Sequence, residues 1–159
     1  MEEYNITQRI NSKFIVHILE AFDDEKAYYF VMDLMKENLK RECSQIGGHG
    51  DIKTKFMIAC IIQGLEDIHA ARIVHRDMKP GNMLWDANGY INITDFGLAS
   101  ETKTGSHNKD SGTIRFMAPE VLFKEGHTYQ SDFYAIGIML YYFLMKKYPY
   151  NSTDRKELK

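Results

Sequence analysis

The sequence predicts an α+β fold, in which a small β-hairpin precedes a mostly helical region. Aromatic and branched residues fill two runs, Phe14–Phe22 and Ala27–Met35, on either side of a polar turn. Apolar residues then recur at helical spacing over Asp51–His69. The longest stretch without charge, Phe133–Met145, suits a buried helix and is too short to span a bilayer.

Shorter helices are predicted around the hairpin. Ile6 and Ile10 lie one helical turn apart, so residues 1–11 are expected to form a helix that opens the chain. A short helix is predicted at Asn38–Ser44, after the second strand. Asp51 is the expected N-cap of the long helix, because its side chain can accept a backbone hydrogen bond.

A second hairpin and a capped helix are predicted in the second half of the chain. Asn88 and Gly89 form a strong turn signal inside the hairpin Met83–Ile93. Ser131 or Asp132 is the expected cap of the last apolar helix, which ends near Met145.

Composition excludes several classes of protein. The net charge of −2, with scattered basic residues, gives no field for nucleic acid or anionic lipid, and the histidines lack metal-ligand spacing. Cys43 and Cys60 form no C-x-x-C motif, which favours reduced thiols and an intracellular protein. The expected compartment is the cytoplasm, with the nucleus as the alternative, since Met1–Tyr4 lacks the features of a secretory signal.

Four side chains in the middle of the chain are suited to phosphate transfer. The carboxylate of Asp77 can accept a hydroxyl proton, and Lys79 can neutralise a moving phosphoryl group. Asn82 and Asp95 offer the hard oxygen ligands that Mg²⁺ prefers. The predicted second hairpin separates these two residues and folds back, so it can bring both to one ion.

The order H-R-D-x-K-x-x-N, followed by D-F-G, resembles the signature of eukaryotic-type protein kinases. The position of Lys79, two residues after Asp77, resembles the pattern of the serine/threonine class and not that of the tyrosine class. The resemblance implies a two-lobe fold and an enzyme that transfers the γ-phosphoryl group of Mg-ATP to protein hydroxyls. It further implies that Asp77 is the catalytic base, Lys79 the charge on the phosphoryl group, and Asn82 and Asp95 the Mg²⁺ ligands.

The resemblance gives structural roles to the neighbours of these residues. His75 would pack against Phe96, which sets the pose of Asp95, while Gly97 would give the backbone freedom to move. Arg76 would receive an activating phosphate, for which Thr104, Ser106 and Ser111 are candidates. Asp132 would hold the backbone of the catalytic loop.

Substrate and nucleotide contacts are implied as well. Thr113 would link Asp77 to Lys79 and present the substrate, and Glu120 would be a structural glutamate whose usual arginine partner we do not expect within this sequence. Met32 would be the gatekeeper residue. The hinge that faces adenine would comprise Asp33, Leu34 and Met35. Gly81 stands where some basic-substrate kinases carry a glutamate.

The resemblance implies a partial kinase fold, truncated at both ends. Residues 1–35 would be the β-hairpin remnant of the N-lobe with the hinge, and residues 36–159 a C-terminally truncated C-lobe. Glu3, or alternatively Glu2, falls where the family has a glutamate that pairs with a lysine. The sequence contains no G-x-G-x-x-G and no V-A-I-K motif. A regulatory partner is therefore expected to cover exposed apolar surface.

Two functions follow from these features. The leading hypothesis is an ATP-dependent serine/threonine protein kinase, because the catalytic loop and the metal pair are intact. The alternative is a catalytically impaired, truncated kinase that acts as a regulatory binding module, because the glycine-rich motif and its lysine are missing from the sequence.

Overall fold

A computed structural model describes residues 2–45, 50–101 and 111–158, and it confirms the α+β class. The helices in these residues are α1 (Glu2–Thr7), α2 (Leu39–Gln45), α3 (Asp51–Ala70), α4 (Pro119–Leu122) and α5 (Tyr129–Met145). The strands pair antiparallel in three small sheets: β1 (Ile18–Asp23) with β2 (Tyr28–Met32), β3 (Ile73–Val74) with β6 (Ser100–Glu101), and β4 (Met83–Trp85) with β5 (Ile91–Ile93).

The core of the larger region forms around α3. Met57, Ile61, Leu65 and Ile68 repeat at intervals of three or four residues, so they share one face of the helix, and all four are fully buried. This face packs in one apolar cluster with side chains of β5 and α5. Each such side chain contributes about 1.5–3 kcal/mol by leaving water. The resulting platform supports the loop that begins directly after β3.

The first strand begins later than the sequence predicts. Residues before Ile18 pair with β5 instead of β2: the N–H of Val16 donates to the carbonyl of Ile93 at 2.8 Å, and the N–H of Ile93 donates to the carbonyl of Phe14 at 2.8 Å. A run of branched residues fits either partner, so periodicity could not separate them. This pairing joins the first hairpin to the strand that leads to Asp95.

Both predicted helix caps are wrong. Gly50, not Asp51, is the N-cap of α3. The N-cap of α5 is Thr128, whose N–H donates to the hydroxyl of Ser131 at 3.1 Å, so Ser131 lies three residues inside the helix. Asp132 also lies inside α5. Its carboxylate does not cap the helix but binds another part of the chain.

Apolar side chains are exposed on the outer faces of α3 and α5. Ile52 is 86% exposed, and Phe133, Leu144 and Met145 are about half exposed. These side chains are part of the exposed apolar surface that a regulatory partner is expected to cover. Within the three described ranges, no helix has the length and hydrophobicity that a membrane span requires.

The end of α5 supplies a prediction for stability. Lys146 follows α5 in the left-handed conformation, with φ 57°, where glycine avoids the clash of a Cβ atom. We expect Lys146→Gly to raise the free energy of unfolding by about 0.5–1 kcal/mol, measured by urea denaturation. Lys147→Gly is the matched control, because Lys147 has an ordinary φ. Equal effects of the two substitutions would contradict the prediction.

Candidate active site

A buried carboxylate of α5 fixes the loop between β3 and β4. Asp132 is 1% exposed, and its two oxygens accept hydrogen bonds from the N–H groups of His75 (3.0 Å) and Arg76 (2.9 Å). His69, at the end of α3, donates from Nε2 to the same carboxylate at 2.9 Å. Sequence reasoning missed His69, whose position offers no local signal. The loop is therefore clamped between α3 and α5 just before Asp77.

Asp77 accepts hydrogen bonds from two segments of the chain. The N–H and the hydroxyl of Thr113 both donate to Oδ1, at 3.0 and 2.8 Å, and the ammonium of Lys79 binds Oδ2. Burial acts to raise the pKa of Asp77, but the hydrogen bonds from Lys79 and Thr113 and the nearby charge of Lys79 outweigh it. The net pKa of Asp77 is lower than usual, so the group is a carboxylate at neutral pH.

Asn82 lies next to Asp77 and next to the segment that carries Asp95. Its Nδ2 donates to the carbonyl of Asp77 at 3.0 Å, which leaves the amide oxygen able to accept a cation. The N–H of Thr94 donates to the carbonyl of Asn82 at 3.0 Å. Asp95 follows with φ 66°, a turn that redirects the chain after β5. The β4–β5 hairpin thus brings the two predicted metal ligands onto adjacent segments.

The donor set has the character of a magnesium site that is completed by its substrate. The described residues contain no group of three or more His, Cys, Asp or Glu side chains that could hold a metal by themselves. Mg²⁺ commonly uses one or two protein carboxylates together with substrate phosphates and water. One buried amide oxygen and one carboxylate fit such an ion better than a permanently bound structural metal.

Phe96 is held by contacts on two sides. Its ring centroid lies 5.1 Å from that of His75, and its N–H donates to Oε1 of Glu3 at 3.0 Å. Glu3, and not the alternative Glu2, makes this contact. The N–H of Asp77 donates to Nδ1 of His75 at 3.3 Å, so His75 carries its proton on Nε2, which lies 3.1 Å from the carbonyl of Thr94. The contacts of His75 are those of a packing residue.

Glycine is required at position 112, for a reason that the sequence did not reveal. Gly112 has φ 113°, and a Cβ atom there would lie 2.7 Å from the carbonyl oxygen of Arg76. A Cβ atom on Gly97 would meet its nearest neighbour, Oδ1 of Asp95, at 3.4 Å, an ordinary contact. Of these two glycines, Gly112 is the one fixed by close approach, and it precedes Thr113, which binds Asp77.

The segment before Thr113 also contacts the catalytic loop. Arg76 donates from its guanidinium to the hydroxyl of Ser111 at 2.6 Å, and burial lowers the pKa of Arg76 from its usual value. The other candidate phosphate acceptors, Thr104 and Ser106, lie outside the described residues. Glu120 accepts a hydrogen bond at 3.0 Å from the hydroxyl of Ser131, which anchors α4 to the start of α5.

The predicted hinge lies between the first hairpin and β4. Met32 is the last residue of β2 and is 41% exposed. The chain next contacts β4 at Lys36, whose N–H donates to the carbonyl of Trp85 at 2.8 Å. Within the described part of the chain, residues 33–35, which include Asp33 and Met35, make no hydrogen bond to other backbone groups. The structure does not join these residues to the catalytic loop by hydrogen bonds.

Comparisons with known proteins agree with this arrangement. The family model described as "protein kinase domain" matches residues 1–159. Ribosomal protein S6 kinase alpha-1 of Rattus norvegicus is 34% identical over 98% of this chain and 22% of its own length. Ribosomal protein S6 kinase alpha-2 of Homo sapiens is 35% identical over 98% and 22%. A cGMP-dependent protein kinase of Drosophila melanogaster, isozyme 2 forms cD5/T2, is 31% identical over 97% and 17%. The chain spans about a fifth of the length of these relatives.

Proposed function

We propose, from the premise that this chain belongs to the protein kinase domain family, that it transfers the γ-phosphoryl group of Mg-ATP to serine and threonine hydroxyls of proteins. The observation that carries the proposal is the joint binding of the Asp77 carboxylate by Lys79 and Thr113. This arrangement supports the proposal, because a carboxylate that could act as the base, a cation and a threonine that could contact the substrate are hydrogen-bonded together. Residues 1–35 would supply the hinge side of the nucleotide site, and residues 36–159 the catalytic side.

The chemistry follows from the charges at Asp77. A substrate hydroxyl that approaches Oδ2 of Asp77 can donate its proton to a carboxylate that is ionised at neutral pH. Lys79 lies beside the same oxygen, where its charge would stabilise the negative charge that develops on the phosphoryl group. Positioning and charge stabilisation are the main contributions that a protein makes to phosphoryl transfer.

The nucleotide would be held at two places. Asn82 and Asp95 would bind the Mg²⁺ ion that accompanies the phosphates, since Asn82 contacts Asp77 and is hydrogen-bonded to Thr94, the residue before Asp95. The backbone of residues 33–35 would bind adenine, with Met32 as the gatekeeper. The Mg²⁺ ion would neutralise phosphate charge, and the side chains of Asn82 and Asp95 would fix the position of the ion.

The reduced state of the cysteines supports an intracellular protein. Neither Cys43 nor Cys60 forms a disulfide, and burial raises the pKa of Cys43 to about 11. A thiol with such a pKa stays protonated and unreactive at neutral pH. We place the protein in the cytoplasm, with the nucleus as the alternative.

A labelling experiment tests the proposal on the complete native polypeptide. The protein is incubated with Mg²⁺ and γ-labelled ATP in the presence of mixed protein substrates, and the labelled amino acids are identified after acid hydrolysis. We expect phosphoserine and phosphothreonine, and we expect a chelator of Mg²⁺ to abolish the label. Label in phosphotyrosine alone would overturn the acceptor class. Absence of label would favour the impaired binding module.

A further inference from the structure

A cleft beside Asp77 is lined by positive charge. Its charged lining side chains among the described residues are Lys40 of α2, Lys79 of the catalytic loop, and Arg115 of the 3₁₀ turn Ile114–Phe116. No acidic side chain of the described residues lines it. The remaining lining residues are neutral, and they include Asn38 and Gly81. The cleft adjoins Asp77, because Lys79 and Thr113 line it and also bind the Asp77 carboxylate. A peptide that lies in the cleft would therefore be close to Asp77.

Two of these cations have no acidic partner among the described residues. Lys40 is exposed and makes no ion pair within the described residues. Arg115 lies over the ring of Tyr148, 4.2 Å from its centroid, and donates to the carbonyl of Tyr150 at 3.4 Å. Both partners are uncharged, so the guanidinium keeps its full charge while its position is fixed. Of the three cations, Lys79 is the one with a carboxylate partner in the described part of the chain, and that partner is Asp77.

Two acidic side chains close to the cleft, Glu37 and Glu157, are not among its lining residues. Glu37, one residue before Asn38, forms an ion pair with Arg41 at 2.8 Å. Glu157 lines the neighbouring hollow on the other side of Arg115 and forms no ion pair with it. Gly81 has no side chain to place an acid on the floor of the cleft. The potential in the cleft is therefore positive on the α2 side and on the side of the 3₁₀ turn.

We infer that the substrate of this site is an acidic segment, with Asp or Glu side chains on both flanks of the accepting serine or threonine. The inference rests on the proposed function, since it names the substrate class of the same site. Each carboxylate would contact one of the two free cations, Lys40 or Arg115. Such partly exposed pairs improve binding about two- to fivefold each and weaken with salt.

Peptides that share one acceptor serine but differ in their flanks test the inference. The flanks carry Asp and Glu, or Gln and Ala, or Lys and Arg, and both kcat/KM and binding by fluorescence anisotropy are measured. We expect the acidic peptide to exceed the neutral one by about tenfold and the basic peptide to rank last, with the differences shrinking at high salt. Equal or reversed ranking would overturn the inference.

Charge reversal assigns the preference to the two cations. Lys40→Glu with Arg115→Glu is expected to remove the preference for the acidic peptide. Lys26→Glu with Lys55→Glu is the matched control, because both residues are exposed and lie outside the cleft. Lys40→Glu alone covers the case in which loss of Arg115 disturbs folding. If the acidic preference persists in all variants, the inference is wrong.

The two readouts separate this inference from the proposed function. If no peptide is phosphorylated while acidic peptides bind with the expected dependence on Lys40 and Arg115, the proposed function fails, and what stands is a cleft that binds acidic segments. If peptides are phosphorylated without regard to flanking charge, the substrate class fails and the proposed function stands.

Discussion

Asp77→Asn is expected to lower the rate of phosphotransfer by about 10²–10⁴-fold, the range for loss of a positioned base. An asparagine amide cannot take up the proton of the substrate hydroxyl. It also places an NH₂ group against donors, because Oδ1 receives two hydrogen bonds from Thr113 and Oδ2 binds Lys79. The rate is measured as kcat with a serine peptide at saturating Mg-ATP.

Asp77→Asn should reduce the rate of phosphotransfer much more than it reduces the stability of the fold. Asp23→Asn is the control, because it makes the same chemical change on an exposed residue at the end of β1. We expect the control to keep its rate, and we expect Asp77→Asn to keep its affinity for Mg-ATP within a few-fold. A rate for Asp77→Asn above a tenth of the original would show that Asp77 is not the base.

The acid side of the pH profile reports on the same carboxylate. The pKa of Asp77 is lower than usual, so the base stays ionised through neutral and mildly acidic pH. Its stabilising contacts with Lys79 and Thr113 are likewise present above an ordinary aspartate pKa of about 3.9 and are lost as pH falls through the lowered value. Loss of activity at a pH well above 4 must therefore come from another group.

The part of the site that was predicted consists of residues that lie close together in the sequence. Asp77, Lys79 and Asn82 lie within six residues, and the hairpin after them has a strong turn signal at Asn88 and Gly89. A short loop followed by a tight hairpin leaves few ways to arrange these side chains. The resemblance added Asp132 and Thr113, whose separation of 57 and 36 residues from their partners exceeds the reach of local patterns.

The features that were not predicted depend on partners far away in the chain. Branched residues before Ile18 could pair with β2 or with β5, and only the packed structure decides between them. Aspartate is a common helix cap, so local sequence also suggested that Asp132 caps α5. Its carboxylate instead accepts the N–H groups of His75 and Arg76, the role that the resemblance had implied. Lys40 and Arg115 share no motif, so a common cleft could be found only in three dimensions.

Asp132→Ala is expected to lower the free energy of unfolding by about 3–5 kcal/mol, measured by urea denaturation. The substitution leaves the buried N–H groups of His75 and Arg76 without their acceptor and removes the partner of His69. A buried donor without a partner costs about 1–3 kcal/mol. His69→Leu removes only one of the three donors, so its loss should be nearer 1 kcal/mol.

Phosphotransfer should fall with stability in Asp132→Ala, because the same two N–H groups hold the backbone one and two residues before Asp77. This pattern differs from that of Asp77→Asn, which should lose the rate and keep the fold. A loss of less than about 1 kcal/mol in Asp132→Ala would mean that water or another acceptor replaces the carboxylate. The catalytic loop would then be positioned by its contacts with Thr113 and β6, and not by α5.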